Sequence, residues 1–138
     1  MVKYDFIDNE RIRKAHSVKR IDPVVRSLAT ALARIPQLRY IKIFPERISA
    51  SNVLSEDGKK NPVVTIGAEG MVGVELLIDV AHEIVQFYAL TSDQKGRGRQ
   101  IVDTVVGAVP EDWFLAVLMD WSGGFWQKMA QEYPRLSL

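Results

Sequence analysis

The stretch that decides the fold runs Glu83-Ile84-Val85-Gln86-Phe87-Tyr88-Ala89-Leu90-Thr91-Ser92-Asp93-Gln94-Lys95-Gly96-Arg97-Gly98-Arg99-Gln100. Glu83 to Leu90 is rich in aromatic and branched apolar residues and reads as a strand. Thr91 to Gly98 is polar and glycine-containing, hence a loop. Arg99 to Val109 then sets Ile101, Val102, Val105, Val106 and Val109 at helical spacing. Its valines lower helix propensity, so a strand stays open as the alternative. A loop with two glycines and three cations, Lys95, Arg97 and Arg99, thus leads from a strand into a helix. The first turn of a helix presents free N–H groups and the positive end of the helix dipole. Glycines let a backbone approach an anion closely. Together these suit a phosphate or pyrophosphate. The loop is not a P-loop, because Gly-Lys-Ser/Thr is absent. A solvated basic turn, with glycines needed only for backbone angles, accounts for the same residues, and both readings stand at this level.

Toward the N-terminus, Pro62 to Gly67 and Met71 to Ile78 read as two strands joined by a tight turn at Glu69-Gly70, and Asp57-Gly58 marks an earlier turn. Tyr40 to Phe44 is a strand closed by Pro45. Arg47 to Leu54 is another, with Ile48 and Val53 inward. The middle of the chain is therefore an antiparallel meander. Before it, Asp22-Pro23 is a helix start. Asp22 caps, and Pro23 takes the first helical position, where its missing N–H costs nothing. Val25, Leu28, Leu32 and Ile35 form one apolar face, and Pro36 stops the helix. Glu10 to Val18 reads as a short helix and Lys3 to Ile7 as an edge strand.

Toward the C-terminus, Trp113 to Met119 is a continuous apolar run, the pattern of a strand buried on both faces. Ser122 to Tyr133 reads as a closing helix with Phe125, Trp126, Met129 and Tyr133 inward, and Leu136 to Leu138 as a final strand. The fold class is α+β, a central, mostly antiparallel mixed sheet flanked by helices, over a single domain spanning residues 1–138.

Composition narrows the function. The 138 residues are 47% hydrophobic and 25% charged, enough to bury a core, which argues against disorder. There is no cysteine, so disulfides, thiolate metal sites and cysteine nucleophiles are excluded. With only His16 and His82, no metal site is expected. No run of about 18 apolar residues exists, and no signal-type segment opens the chain, so a cytoplasmic protein without a membrane partner is expected. The net charge of +1 hides an asymmetry. Residues 1–47 hold 11 Lys/Arg against 5 Asp/Glu, and residues 48–138 hold 7 against 12. A basic first third can bind nucleic acid or an acidic protein, and it can equally be a solvated surface.

The decisive stretch resembles the Gcn5-related N-acetyltransferase family. Glu83 to Leu90 matches the family's fourth strand. Lys95-Gly96-Arg97-Gly98-Arg99-Gln100 matches its pyrophosphate loop, Arg/Gln-x-x-Gly-x-Gly/Ala, and Gly124-Phe125-Trp126-Gln127-Lys128-Met129 its last helix. The match covers about residues 60 to 138. Lys95 stands where Arg or Gln is usual, Gln100 where Gly or Ala is usual, and Trp126 where a tyrosine often protonates the leaving thiolate. The resemblance implies an acyl-CoA N-acyltransferase-like fold whose fourth and fifth strands splay apart. It implies acetyl-CoA as acetyl donor, held by Leu90, Thr91, Lys95, Gly96, Arg97, Gly98, Arg99 and Gln100. It implies direct attack by a primary amine of a protein or small molecule. Glu83 takes the place of the base glutamate of histone-type members, with Glu75 and His82 as alternatives. Tyr88 and Tyr133 are candidate acids, and Trp121 is a candidate for the acceptor cleft. The departures leave a second reading open, a non-catalytic module with a degenerate cofactor site. Oligomeric state, including a homodimer, is left open.

Overall fold

The computed structural model describes residues 9–120 and 123–138. The sequence expectations for Lys3 to Ile7, Trp121 and Ser122 lie outside them. The elements follow the order β1 (Ile12–Lys14), α1 (Pro23–Leu32), β2 (Tyr40–Phe44), β3 (Arg47–Ser51), β4 (Val72–Asp79), β5 (Ile84–Ser92), α2 (Arg97–Ala108), β6 (Phe114–Val117), α3 (Phe125–Glu132) and β7 (Leu136–Ser137). The seven strands lie side by side in chain order. Strands β2 to β5 are antiparallel, while β1 is parallel to β2, and β5, β6 and β7 are parallel to one another. The architecture is α+β with a mixed sheet.

The first helix forms where its cap directs. The Asp22 carboxylate accepts from the Val24 N–H at 2.9 Å, and Pro23 follows at N1. Val25, Leu28, Ala29 and Leu32 are buried on one face. Full burial of a leucine side chain contributes about 1.5–3 kcal/mol, so Leu28 and Leu32 anchor α1 on the sheet. Against them lie Ile41 and Ile43 of β2, Ile48 and Ala50 of β3, Val74, Leu76 and Ile78 of β4, and Val85 and Phe87 of β5, one core cluster at strand period two. Helix α2 adds Ile101, Val102 and Val105, and α3 adds Trp126 and Met129. The α2 and α3 helices are tied by an Arg99–Glu132 ion pair and by the Tyr133 hydroxyl donating to Asp103 at 2.8 Å. The three helices thus share one face of the sheet. Carbonyls at the end of α2 and in the turn that follows it are satisfied from outside the helix. The Arg135 guanidinium donates to the carbonyls of Val106 (3.1 Å), Val109 (3.1 Å), Pro110 (2.7 Å) and Trp113 (3.2 Å).

Several expectations are corrected. Glu10 to Val18 is not a helix; its centre is β1, paired Ile12↔Ile41 to Lys14↔Ile43. Strand pairing wins there because Arg11 is fastened to the segment after α1, its guanidinium donating to the Leu38 carbonyl at 3.0 Å. Pro62 to Gly67 forms no strand, since β3 is the strand beside β4; only an isolated Leu54↔Pro62 bridge remains. Val53 is not inward but 38% exposed. The Trp113–Met119 run is not buried on both faces: β6 is four residues long and Phe114 is 69% exposed.

Candidate functional site

The site begins where two strands part. Strand β5 runs from Ile84 to Ser92, but β6 pairs with it only from Ile84↔Phe114 to Phe87↔Val117. The Leu118 N–H makes one more bond, to the Phe87 carbonyl at 2.9 Å. From Ala89 onward β5 has no strand paired on that side among the described residues. The pairing to β4 also slips here. Glu75 faces Ala89 and Leu76 faces Phe87, so Tyr88 is the extra residue of a β-bulge. Bulges re-aim a strand and increase its twist, and this one sits at the point of divergence.

The gap is a cleft of about 480 Å³. Leu90, Thr91 and Ser92 form one wall, Phe125 and Trp126 the other, and Gly96 and Gly98 the end. The Ile66–Gly67 segment closes over the strand, with the Gly67 N–H donating to the Thr91 hydroxyl at 3.0 Å. Trp126 is buried and packs on Phe87 (centroids 4.9 Å apart) and edge-on to Phe125 (5.2 Å).

At the end of the cleft α2 starts without a side-chain cap. Gly96 is its N-cap with φ +84°, a left-handed backbone that glycine adopts without cost. The Arg97 N–H donates to the Gln94 carbonyl at 3.2 Å, whereas those of Gly98 and Arg99 have no acceptor among the described residues. Gly98 matters for a different reason. A Cβ there would stand 3.4 Å from the Phe125 ring, so the glycine brings backbone, ring and cleft together.

The three cations of the loop have different fates. Lys95 lines the cleft, is exposed, and has no ion pair among the described residues. Arg99 lines the cleft but is paired with Glu132. Arg97 is folded onto glutamines, donating to Gln100 Oε1 at 2.8 Å and Gln94 Oε1 at 3.3 Å. Of the eight residues expected around a cofactor, the structure brings together Leu90, Thr91, Lys95, Gly96, Gly98 and Arg99. Arg97 and Gln100 are outside the lining. The Gln100 side chain, engaged by Arg97, does not crowd the cleft.

The expected acid and base residues lie elsewhere. Glu83 is exposed in the β4–β5 turn at φ +56°, at the opposite end of β5 from the loop. Eight residue steps along β5 separate it from Thr91, about 26 Å. His82 is in the same turn, its ring at 2.8 Å from Asp79. The His82 backbone N–H, then its ring, hold the Asp79 carboxyl below its ordinary range. Tyr133 is on the α2–α3 side, and its hydrogen bond to Asp103 raises its pKa. Tyr88 is half exposed at the bulge. Glu75 is the carboxylate nearest the divergence in register, opposite Ala89. Among the described residues that line the cleft there is no carboxylate, imidazole or phenol.

Sequence reasoning missed Ile66, Gly67, Ser92 and Gln94 as lining residues, and it set Phe125 and Trp126 inward without placing them on a cleft wall. Ile66 and Gly67 arrive from a loop remote in sequence and leave no local signal. Compared with family models, curated proteins and solved structures, the chain matches none.

Proposed function

We propose that the chain is an acetyl-CoA-dependent N-acetyltransferase with an acyl-CoA N-acyltransferase-like fold, acting on a primary amine. The observation that carries the reading is the continuity of two features. A strand edge that diverges from its neighbour, Ala89 to Ser92, runs straight into a helix start whose N–H groups at Gly98 and Arg99 have no acceptor among the described residues.

The residues present fit a phosphate-bearing acyl donor. The N–H groups of Gly98 and Arg99, the dipole of α2 and the Lys95 ammonium would hold a pyrophosphate. The bare backbone of β5 would pair with the amides of a pantetheine arm, much as an added strand does. Phe125 and Trp126 give the same groove an aromatic wall that would shield a bound thioester from water. The donor supplies an activated acetyl thioester when bound. The chain would orient it, and a backbone N–H of the diverging strand could polarise the acetyl carbonyl. Trp126 donates no proton to sulfur, because an indole N–H is a hydrogen-bond donor and not an acid. A thiolate is a good leaving group, so the step proceeds without a dedicated acid.

One observation favours a second reading. The absence of a carboxylate, imidazole or phenol among the described lining residues suits a binding module that holds the donor without turning it over. Calorimetric titration with acetyl-CoA, followed by thiol release with a panel of amines, decides between them. Binding with turnover supports the enzyme, and binding without turnover supports the module. No binding at millimolar ligand sinks both.

A further inference from the structure

The sheet face turned away from the helices holds a second groove of about 520 Å³, bounded by Phe44, Glu46, Arg47, Leu77, Asp79 and Gln86. Strand register sets its floor: Arg47 faces Leu77, and Leu77 faces Gln86. The adjacent row toward the cleft is Ser49, Glu75 and Ala89. Two residues along a strand are about 7 Å, so the groove leads directly to the point where β5 loses β6.

An ion pair held ajar stands between groove and divergence. The Arg47 guanidinium stacks 4.1 Å above the Phe44 ring. Its Nη1 is 3.4 Å from Glu75 Oε2, and the Ser49 hydroxyl donates to the same oxygen at 3.3 Å. A well-made Arg–carboxylate contact is about 2.7–2.9 Å and often bidentate. Arg47 Nε is buried with no acceptor among the described residues. The ring fixes the guanidinium plane while its donors go under-used. A carboxylate and an ammonium on one carbon can enter such a pair, each meeting its opposite charge. Phe44 and Leu77 offer apolar surface beside it.

We infer that this groove is the acceptor site and that the acceptor is a free α-amino acid with an apolar side chain. Its carboxylate binds Arg47 and its α-ammonium binds Glu75. The role as acceptor rests on the acetyl-transfer reading of the cleft. Glu75 takes one proton from the ammonium and passes it to solvent. The nitrogen lone pair forms the N–C bond to the acetyl carbonyl carbon. The C–S bond breaks with its electrons on sulfur, and the second proton leaving nitrogen ends there. The products are an N-acetyl amino acid, a thiol and one solvent proton.

The test is calorimetry on the full chain without acetyl donor, using L-leucine, leucine amide, 4-methylpentanoate and putrescine. Leucine binds, and the amide and the acid each bind at least about tenfold more weakly, since each lacks one charge. Glu75→Gln and Arg47→Lys each weaken leucine at least about tenfold, while thermal melts and acetyl-CoA affinity stay at the wild-type values. Putrescine binding as tightly as leucine overturns the inference. So does the absence of leucine binding, or wild-type leucine affinity in both folded variants. Leucine binding by a protein that takes up no acetyl-CoA supports the amino-acid site and removes the acetyl-transfer reading instead.

Discussion

Gly98→Ala separates what this glycine does for the fold from what it does for the cleft. Gly98 is in the first turn of α2 and its φ is not positive, so alanine meets no backbone strain. The new Cβ would lie 3.4 and 3.5 Å from Phe125 Cζ and Cε1, ordinary van der Waals contact. Alanine is worth up to about 0.8–1.0 kcal/mol over glycine inside a helix, and less at a first turn. Part of that gain comes from reduced freedom of the unfolded chain. We expect a stability change of about +0.5 kcal/mol, or roughly 1–2 °C in Tm at this chain length. Affinity moves the other way. The methyl stands beside the N–H groups of Gly98 and Arg99, and a hydrogen bond to a charged group is worth about 1.5–3 kcal/mol. Weakening one of them should lower acetyl-CoA affinity about tenfold. Gly98→Glu adds bulk and repulsion and should abolish measurable binding. The assays are thermal or urea denaturation and calorimetric titration on the same preparations. A destabilised Gly98→Ala refutes the packing argument. A folded variant with unchanged affinity refutes the anion site at α2.

Four further outcomes follow from particular contacts. Glu132→Gln releases Arg99 toward the cleft, so acetyl-CoA should bind about 2–5-fold tighter with a steeper salt dependence, at a stability cost of at most about 1 kcal/mol for an exposed pair. Glu83→Gln should leave turnover unchanged at every pH, because the turn is at the far end of β5; a lowered rate contradicts this geometry. Arg135→Ala strips the donors from the carbonyls of Val106, Val109, Pro110 and Trp113 at the end of α2 and after it and should cost about 1–3 kcal/mol in urea denaturation, with Arg135→Lys recovering only part. Tyr133 has its pKa raised above 10.0 by the hydrogen bond to Asp103. Its contribution to stability is complete below pH 10.0 and is lost as pH rises through the folded value; ultraviolet titration of Asp103→Asn should bring the phenol back toward 10.0.

Local chemistry made parts of this fold readable in advance. Asp22-Pro23 announces α1, and the cap bond to Val24 confirms it. The valine-rich segment after the loop is helical despite its propensity, because Ile101, Val102 and Val105 bury on one face. That helix starts at Arg97, two residues earlier than the periodicity suggests, because Gly96 supplies the left-handed turn that opens it. What failed depends on distant partners. Segment Glu10 to Val18 has helical apolar spacing, but β2 is waiting for it as an edge. Phe114 looks like a core residue, but it lies on the face of β6 away from the helices. The same division runs through the site. The glycines and cations of the loop are contiguous and legible. The divergence of β5 from β6, the cover by Ile66 and Gly67, and the meeting of Arg47 with Glu75 are products of strand register, which no window of sequence contains.

The central claim is that the bare edge of β5 and the open start of α2 form one binding site for a phosphate-bearing acyl donor. Amide NMR titration of the labelled chain with acetyl-CoA tests it most directly. The account predicts shifts concentrated at Leu90, Thr91, Ser92, Gly96, Gly98 and Arg99, saturating together. Shifts confined to other strands, or no shifts at millimolar acetyl-CoA, would contradict it.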